Sequence, residues 1–345
     1  MKLLLHQFEL PLRHVFTISR ESISVQKTLI VELRQDGKCG FGEATTNAYY
    51  NATIPRMTEQ LSRLQLQIER HSATEPEQLW DLLSPQLADN PFALCAVDQA
   101  ANDLAGKLQG APLYKLWGYD FDQVPVSNFT IGIDAVEVMV EKLKETPNWP
   151  IYKIKLGTSE DLEIVEELRR HTDARFRVDA NCGWTVAETI TNSHRLLELG
   201  VEFIEQPLGA DDWNGHRQVY SDSVLPIIAD ESCIRPEDVA RCADRFHGVN
   251  IKLVKCGGLT PARRMIREAK QRGLKAMVGC MTESTVGISA IAQLLPLLDY
   301  VDMDGAALLS SDIATGATVV DGHCQTGAGN GTGAQLVHEN VIWPL

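Results

Sequence analysis

Hydrophobic and polar positions in the central part of the chain repeat with a period of about 25 residues, enough for one strand, one helix and two short loops. Each repeat has a short apolar run typical of a buried strand, then apolar residues at helical spacing, such as Leu162, Val165 and Leu168. Thr185 precedes one such segment as a capping residue. Doubly wound sheets seldom sustain so many even repeats, so the pattern predicts an α/β fold of the (β/α)8 type, a TIM barrel. The apolar runs are residues 124–130, 151–155, 176–179, 203–205, 227–230, 249–252, 275–279 and 300–302.

The first part of the chain does not follow this rhythm. Residues 28–33 alternate between apolar and polar as in a β-strand, and Asp36-Gly37 marks a hairpin turn after them. Two longer stretches, 57–71 and 92–108, have the apolar spacing of helices. The sequence therefore predicts an α+β unit in front of the barrel.

The end of the chain is rich in glycine and lacks a helical pattern. Residues 335–338 are predicted to form a late strand that returns to the first unit. The glycines between 327 and 333 could suggest a phosphate-binding loop, but no Lys-Ser/Thr pair and no clear helix follow, which favours an ordinary loop. We expect an α+β domain over residues 1–120, the barrel over 121–318 and a returning tail over 319–345.

Composition narrows the class of protein. The 345 residues include 32 Lys and Arg against 46 Asp and Glu, a formal net charge of −14. This charge disfavours nucleic acid or an anionic membrane as the main partner, because both are held by basic patches. The eight cysteines have no CxxC spacing, which is typical of reduced thiols in a cytoplasmic protein. We expect a cytoplasmic enzyme.

Three acidic residues end consecutive predicted strands: Asp179, Glu205 and Asp230. The carboxyl ends of barrel strands converge on one mouth, where three carboxylates without a cation would repel one another. Ligation by oxygen alone favours a hard ion such as Mg²⁺. Each residue taken singly could be a helix cap or an ion-pair partner. Three in register on neighbouring strands favour a magnesium site.

Lysines lie on either side of these acids. Lys153 and Lys155 share a face of the second strand, and Lys252 ends the sixth, across the barrel mouth. The alternative is that these lysines only form ion pairs with the acids. This alternative overlaps with the functional interpretation, because the acids themselves form the predicted site. A lysine beside a divalent cation has a lowered pKa and can act as a base. A cation with two opposed bases suits removal of a proton α to a carboxylate, through an enolate, and its return to the other face.

Several segments resemble the muconate-lactonizing-enzyme subgroup of the enolase superfamily, in which a lysine base acts with Mg²⁺. The resemblance covers nearly the whole chain and implies a modified TIM barrel with an N-terminal capping domain that the tail completes. Gly42-Glu43-Ala44 and residues 105–114 resemble the capping domain. The barrel motifs are Lys153-Ile154-Lys155, Val178-Asp179-Ala180-Asn181, Ile204-Glu205-Gln206-Pro207, Ala229-Asp230-Glu231-Ser232 and Asn250-Ile251-Lys252.

The resemblance also implies roles for residues in these motifs. It makes Lys155 and Lys252 the acid/base pair, and it places Lys153 near the substrate carboxylate. The seventh strand, residues 276–280, has no histidine, which argues against the branch that resembles mandelate racemase. The resemblance further implies one Mg²⁺ per subunit, with Asp179, Glu205 and Asp230 as its ligands. It also implies that Asn181 and Glu231 lie behind these ligands and contact them.

The eighth strand carries Asp302 and Asp304 on one face. This pair resembles the pattern of dipeptide epimerases in the subgroup, where it holds the α-ammonium of the first residue. The resemblance implies epimerisation of a dipeptide at the α-carbon of its C-terminal residue. Simple pairing of Asp302 with a barrel lysine is the alternative.

The resemblance also implies that specificity for the second side chain comes from the loop after the first strand. Arg20 in that loop could bind a side-chain carboxylate, whereas an inward Glu21 would reject one. Met281 and Glu283, just after strand 7, are expected to line the same pocket, and Tyr49 and Tyr50 lie in a candidate lid.

Other functions remain open. An N-acylamino acid racemase, an o-succinylbenzoate synthase or a cycloisomerase of the same subgroup would leave Asp302 and Asp304 unexplained. A Schiff-base lyase would use a strand lysine and no metal, and a binding barrel would use neither. Members of this family are often homo-oligomers, so assembly of copies is also open.

Overall fold

The chain begins with long antiparallel strands, as the alternation at residues 28–33 predicts. The computed structural model describes residues 1–18, 21–327 and 329–344. The hairpin turn at Asp36 and Gly37 has φ angles of 50° and 72°, the left-handed values of a two-residue turn. The strands are Lys2–Ile18 (β1), Glu21–Gln35 (β2) and Lys38–Thr45 (β3).

A bundle of helices packs on this sheet. Strand β3 lies so close to the longest helix that a Cβ atom at Gly42 would be 2.1 Å from the carbonyl oxygen of Ala96. Only glycine allows this approach, which explains the residue before Glu43. The helices are Ile54–Arg70 (α1), Pro76–Leu83 (α2), Pro91–Gln109 (α3) and the short Leu113–Leu116 (α4).

Eight parallel strands follow in sequential order, each bonded to the next. Ser127, just before the first strand, forms an isolated parallel bridge with Val301 of the last strand, so the sheet is nearly closed. The predicted fold class, a barrel behind an α+β unit, is confirmed. The strands are Phe129–Ile131 (β4), Ile151–Lys155 (β5), Arg175–Asp179 (β6), Val201–Glu205 (β7), Ile227–Ala229 (β8), Gly248–Ile251 (β9), Lys275–Gly279 (β10) and Tyr300–Asp302 (β11).

Helices connect these strands around the outside. The predicted cap at Thr185 is present, because its hydroxyl accepts from the backbone of Glu188 and the Glu188 carboxylate accepts from Thr185 in return. The helices are Val136–Glu145 (α5), Asp161–Arg169 (α6), Val186–Glu198 (α7), Trp213–Asp222 (α8), Pro236–Cys242 (α9), Leu253–Cys256 (α10), Leu259–Gln271 (α11) and Thr285–Ala292 (α12), with 3-10 turns at Leu295–Leu297 and Gly305–Leu308.

The tail returns to the first sheet at a different place from the predicted one. Gln335–Leu336 pairs with Ala314–Thr315 and not with a strand of the first sheet. Leu336 and His338 nevertheless contact Phe8 and its cluster in the first unit, so the predicted return occurs through side-chain packing and not through strand pairing. Val341–Trp343 pairs with β1 instead. The strand predicted at residues 335–338 ends at Leu336, because the chain there first pairs with Ala314–Thr315. The tail strands are Ala314–Thr315 (β12), Thr318–Val320 (β13), His323–Gln325 (β14), Gln335–Leu336 (β15) and Val341–Trp343 (β16).

Buried acids of the first unit fasten it to the barrel. Asp98 accepts from the backbone N–H and the hydroxyl of Thr260 at the start of α11, at 2.9 and 2.6 Å. Glu43 accepts from the N–H groups of Ser284 and Gly287 at the start of α12. The first N–H groups of a helix have no acceptor within the helix, so these two contacts satisfy them and orient the first unit over the barrel.

We propose the division into residues 1–120, 121–318 and 319–345, which the separate sheets support. Among the described helices, none is long and apolar enough to cross a membrane.

Candidate active site

A cavity of about 410 Å³ lies between the β1–β2 hairpin and the carboxyl ends of the barrel strands. The first unit contributes Phe16, Ile23 and Tyr50 to its lining, and the barrel contributes polar side chains. Residues at the ends of most barrel strands therefore meet in one cavity, which the first unit covers. The barrel residues on this surface include Lys155, Asn181, Asp230, Glu231, Lys252, Asp302 and Asp304.

Three of the predicted carboxylates lie together at the bottom of this region. Ligand oxygens of Asp179, Glu205 and Asp230 are all within 4.8 Å of one another, and all three residues are buried. Burial raises the pKa of Glu205 to about 7, so this carboxyl resists ionisation unless positive charge is added. A compact, buried set of oxygen donors fits a hard divalent cation such as Mg²⁺.

The lysines contact opposite ends of this row of carboxylates. Lys155 Nζ is 2.6 Å from Asp179 Oδ2, and Lys252 Nζ is 2.9 Å from Asp230 Oδ2. Both lysines line the cavity. Lys153 is buried beneath them, with its Nζ 2.7 Å from Glu205 Oε2. Lys155 and Lys252 are therefore placed to reach a bound molecule from two sides.

The charge state of Lys252 depends on its neighbours. Burial lowers its pKa, but the Asp230 carboxylate more than offsets this and holds the pKa above its ordinary value. Carboxylates alone thus produce the opposite of the lowered pKa expected for a base. Positive charge among the carboxylates is needed to bring this pKa down.

Asp302 and Asp304 form a second acidic group in the cavity. Asp302 Oδ2 accepts from Lys153 Nζ at 2.9 Å, so the predicted alternative, pairing with a barrel lysine, is part of the arrangement. Asp304 Oδ2 accepts from the backbone N–H of Thr130 at 2.5 Å. Burial, and then the charge of Asp302, raise the pKa of Asp304 well above its usual range. A cation bound beside this pair would relieve that repulsion.

Other predicted residues lie around these groups. The backbone N–H of Asn181 donates to Asp179 Oδ1 at 3.0 Å. Glu231 and Met281 line the cavity, as do Tyr49 and Tyr50. Arg20 lies outside the described residues, and so does the Glu21 side chain.

Glu283 does not line the cavity with Met281, so this prediction is wrong. Its Oε1 accepts from the Met281 backbone N–H at 2.9 Å, and the side chain is buried behind the loop. The backbone of Met281 therefore covers the carboxyl that the sequence suggested would be open to the pocket.

Sequence reasoning gave no role to two residues that hold the carboxylates. Asn250 Nδ2 donates to Glu205 Oε1 at 2.8 Å. Lys255 Nζ donates to the Asp230 carboxylate and, at 2.7 Å, to the carbonyl oxygen of Asp230. Asn250 shares a strand face with Lys252, two residues on, so the period of the strand was a usable signal. Lys255 lies on the helix turn after the strand, where no such period applies.

Glu283 allows a prediction about stability and pH. Burial, and then the charge of Glu43, raise its pKa from 4.5 to about 8. The folded state then keeps a proton that the unfolded state releases, so this group lowers stability as pH rises from 4.5 to 8. We expect Glu283→Gln to be more stable than the parent at pH 8, by roughly 2–4 kcal/mol, and about equal to it near pH 5. Thermal unfolding at the two pH values measures this.

Glu198→Gln is the matched control. Its carboxylate lies on the surface, where it pairs with Arg195, so we expect this variant to change the melting temperature little and by the same amount at both pH values. A Glu283→Gln protein with the same pH dependence as the parent would contradict the assignment.

Comparison with known proteins agrees with this geometry. The model for the N-terminal domain of mandelate racemase and muconate lactonizing enzyme matches residues 4–118. The enolase C-terminal domain-like model matches residues 135–340. The chain belongs to the mandelate racemase/muconate lactonizing enzyme family. The resemblance to the enolase superfamily found in the sequence is thus confirmed.

Several proteins that are similar to this chain are named epimerases. The chain is 59% identical over 337 residues to an L-Ala-D/L-amino acid epimerase of Flavobacterium johnsoniae, covering 98% of this chain and 100% of that one. A substrate-liganded L-Ala-D/L-Glu epimerase from Bacillus subtilis has a TM-score of 0.92 at 25% identity, covering 97% and 99% of the two chains. The dipeptide epimerase from Enterococcus faecalis, complexed with Mg and L-Leu-L-Tyr, has a TM-score of 0.91 at 28% identity, with the same coverage.

Proposed function

We propose that this protein is a Mg²⁺-dependent dipeptide epimerase that inverts the α-carbon of the C-terminal residue. The observation that carries the proposal is the position of Lys155 and Lys252 at opposite ends of one carboxylate row in one cavity. The names of the relatives support a dipeptide substrate that begins with L-Ala. The Enterococcus structure, which holds both Mg and a dipeptide, supports the cofactor.

The chemistry follows from the arrangement of the side chains. Asp179, Glu205 and Asp230 would hold the cation, which supplies electrostatic stabilisation of negative charge on the substrate carboxylate. One of Lys155 and Lys252 removes the α-proton, and the other, protonated, delivers a proton to the opposite face. Each lysine returns to its starting state when the reaction runs in the other direction. Phe16, Ile23 and Tyr50 of the first unit line the same cavity and would lie against a bound dipeptide.

The acidic pair supports a free α-ammonium as the recognised group. Asp302 and Asp304 line the cavity without lying in the carboxylate row. Lys153 already pairs with Asp302, but burial, and then the charge of Asp302, still raise the pKa of Asp304, so further positive charge beside the pair is favoured. Substrates of an N-acylamino acid racemase, an o-succinylbenzoate synthase or a cycloisomerase have no such group. We therefore favour the dipeptide.

The test compares a dipeptide with its acylated analogue in deuterated water with Mg²⁺. We expect L-Ala-X dipeptides to exchange the α-hydrogen of residue X, followed by nuclear magnetic resonance. Asp302→Asn should lower kcat/KM for the dipeptide about 100-fold more than for N-acetyl-X, because only the dipeptide places an ammonium beside this carboxylate. Asp299→Asn, before the start of β11, is the control and should leave the ratio unchanged.

Two results would count against the proposal. If no dipeptide exchanges its C-terminal α-hydrogen, the protein is not a dipeptide epimerase. If Asp302→Asn lowers both substrates equally, the pair does not bind an ammonium.

We also propose a cytoplasmic location and keep a homo-oligomer as a proposal. Seven of the cysteines are free thiols, which supports a reducing compartment: Cys39, Cys95, Cys233, Cys242, Cys256, Cys280 and Cys324. The acidic net charge supports a small-molecule substrate over nucleic acid or a membrane surface.

A further inference from the structure

A second, smaller cavity lies beside the substrate cavity. Its volume is about 120 Å³, against about 410 Å³ for the larger one. Phe16, Thr130 and Leu308 line both cavities, so these three side chains form the wall between them. Ala307 lines only the smaller cavity.

This wall stands directly beside Asp304. The backbone N–H of Thr130 donates to Asp304 Oδ2 at 2.5 Å. Leu308 ends the 3-10 turn that begins at Gly305, one residue after Asp304. A molecule whose ammonium is held by Asp304 therefore has its next carbon, and the side chain on that carbon, close to the wall.

The wall is held in place from both sides. In β1, Arg13 Nε donates to the carbonyl oxygen of Leu309 at 2.8 Å, next to Leu308. The carbonyl oxygen of Thr17 accepts from the backbone N–H of Ile133 at 2.9 Å. These bonds flank Phe16 in the sequence, so its backbone cannot retreat without losing one of them.

We propose that Phe16 and Leu308 restrict the first residue of the dipeptide to a small side chain, and that the cavity behind them accepts a larger one once the wall is shortened. The inference rests on the proposed function, because it takes the ammonium beside Asp304 as given. The lining of the second cavity includes the apolar residues Val15, Phe129 and Ala307 together with the charged residues Arg13, Lys142 and Glu145. Since a cavity on the order of 150 Å³ can hold a benzene molecule, its volume is enough for a short aliphatic side chain. In a filled pocket, each added methylene changes discrimination by about 10-fold or more.

The experiment measures kcat/KM for L-Ala-X and L-Leu-X with the same residue X, chosen as the one that the parent epimerises fastest. For the parent we expect a strong preference for L-Ala-X. Phe16→Ala and Leu308→Ala should each raise the L-Leu-X to L-Ala-X ratio at least about 10-fold. Two separate variants are used so that a folding defect in one does not decide the result.

Filling the second cavity is the matched control. Ala307→Leu, outside the wall, should leave the ratio of the parent unchanged. Combined with Phe16→Ala, it should return the ratio toward the parent value, because the leucine occupies the space that the substrate side chain would enter. A general loosening of the site would not be reversed in this way.

The outcomes separate the two proposals. A parent that turns over no dipeptide overturns the proposed function. A parent that turns over L-Ala-X and L-Leu-X equally overturns the wall alone, and so does an unchanged ratio in wall variants that still epimerise L-Ala-X.

Discussion

Alanine at Lys155 or at Lys252 is expected to lower the rate of epimerisation at least about 10³-fold, because each lysine performs one of the two proton transfers. Each variant should nevertheless retain some exchange of the α-hydrogen, unlike an enzyme without any activity. A variant with one lysine left can remove the α-proton only from the isomer whose hydrogen faces that lysine. In deuterated water each variant should therefore exchange at most one stereoisomer, and the two variants should differ in which one.

Proton magnetic resonance of the separate L,L and L,D dipeptides measures this exchange. Lys275→Ala is a suitable control, since this lysine lies on the surface at the start of β10, where it pairs with Asp299. If both lysine variants exchange the same isomer, or if either one epimerises at the rate of the parent, the assignment of two opposed bases is wrong.

Removal of divalent cations is expected to abolish epimerisation, and Mg²⁺ should restore it. The buried carboxylates Asp179, Glu205 and Asp230 gain a partner when the cation binds, so binding should also stabilise the fold. At 100 times the dissociation constant the gain is about 2.7 kcal/mol, a rise of a few degrees in melting temperature. This second measurement does not depend on turnover.

Glu205→Gln is the control for the cation. It removes one ligand charge but keeps an acceptor for Asn250 Nδ2, so we expect the variant to fold and to lose most of the stabilisation by Mg²⁺. Full activity in excess chelator would favour the Schiff-base lyase. If Mg²⁺ does not raise the melting temperature of the parent, the assignment of a cation to this site is wrong.

Most of the barrel could be predicted from the sequence because each strand is a short apolar run between polar segments. Ile151–Lys155, Lys275–Gly279 and Tyr300–Asp302 have the predicted bounds. The carboxylates were predictable as a group because the ends of parallel strands meet at one mouth. Their order along the chain is therefore also their order in space.

Long-range pairing was harder to predict. The partner of residues 335–338 depends on which edge the tail meets first, and nothing local distinguishes β12 from β1. The position of Glu283 depends on how the backbone folds after strand 7, where no periodicity applies. The wall between the two cavities includes Phe16 and Leu308, which lie almost 300 positions apart in the sequence. Only the folded chain brings them together.

The caps supplied by Glu43 and Asp98 limit how far this enzyme can be treated as modular. A chimera that joins this barrel to the first domain of a relative would leave the starts of α11 and α12 without their acceptors, unless the donor domain carries acids at the same two places. Recombination between relatives should therefore tolerate crossovers that keep Glu43 with Ser284 and Asp98 with Thr260. Exchange of both domains together should therefore preserve stability better than exchange of either one alone.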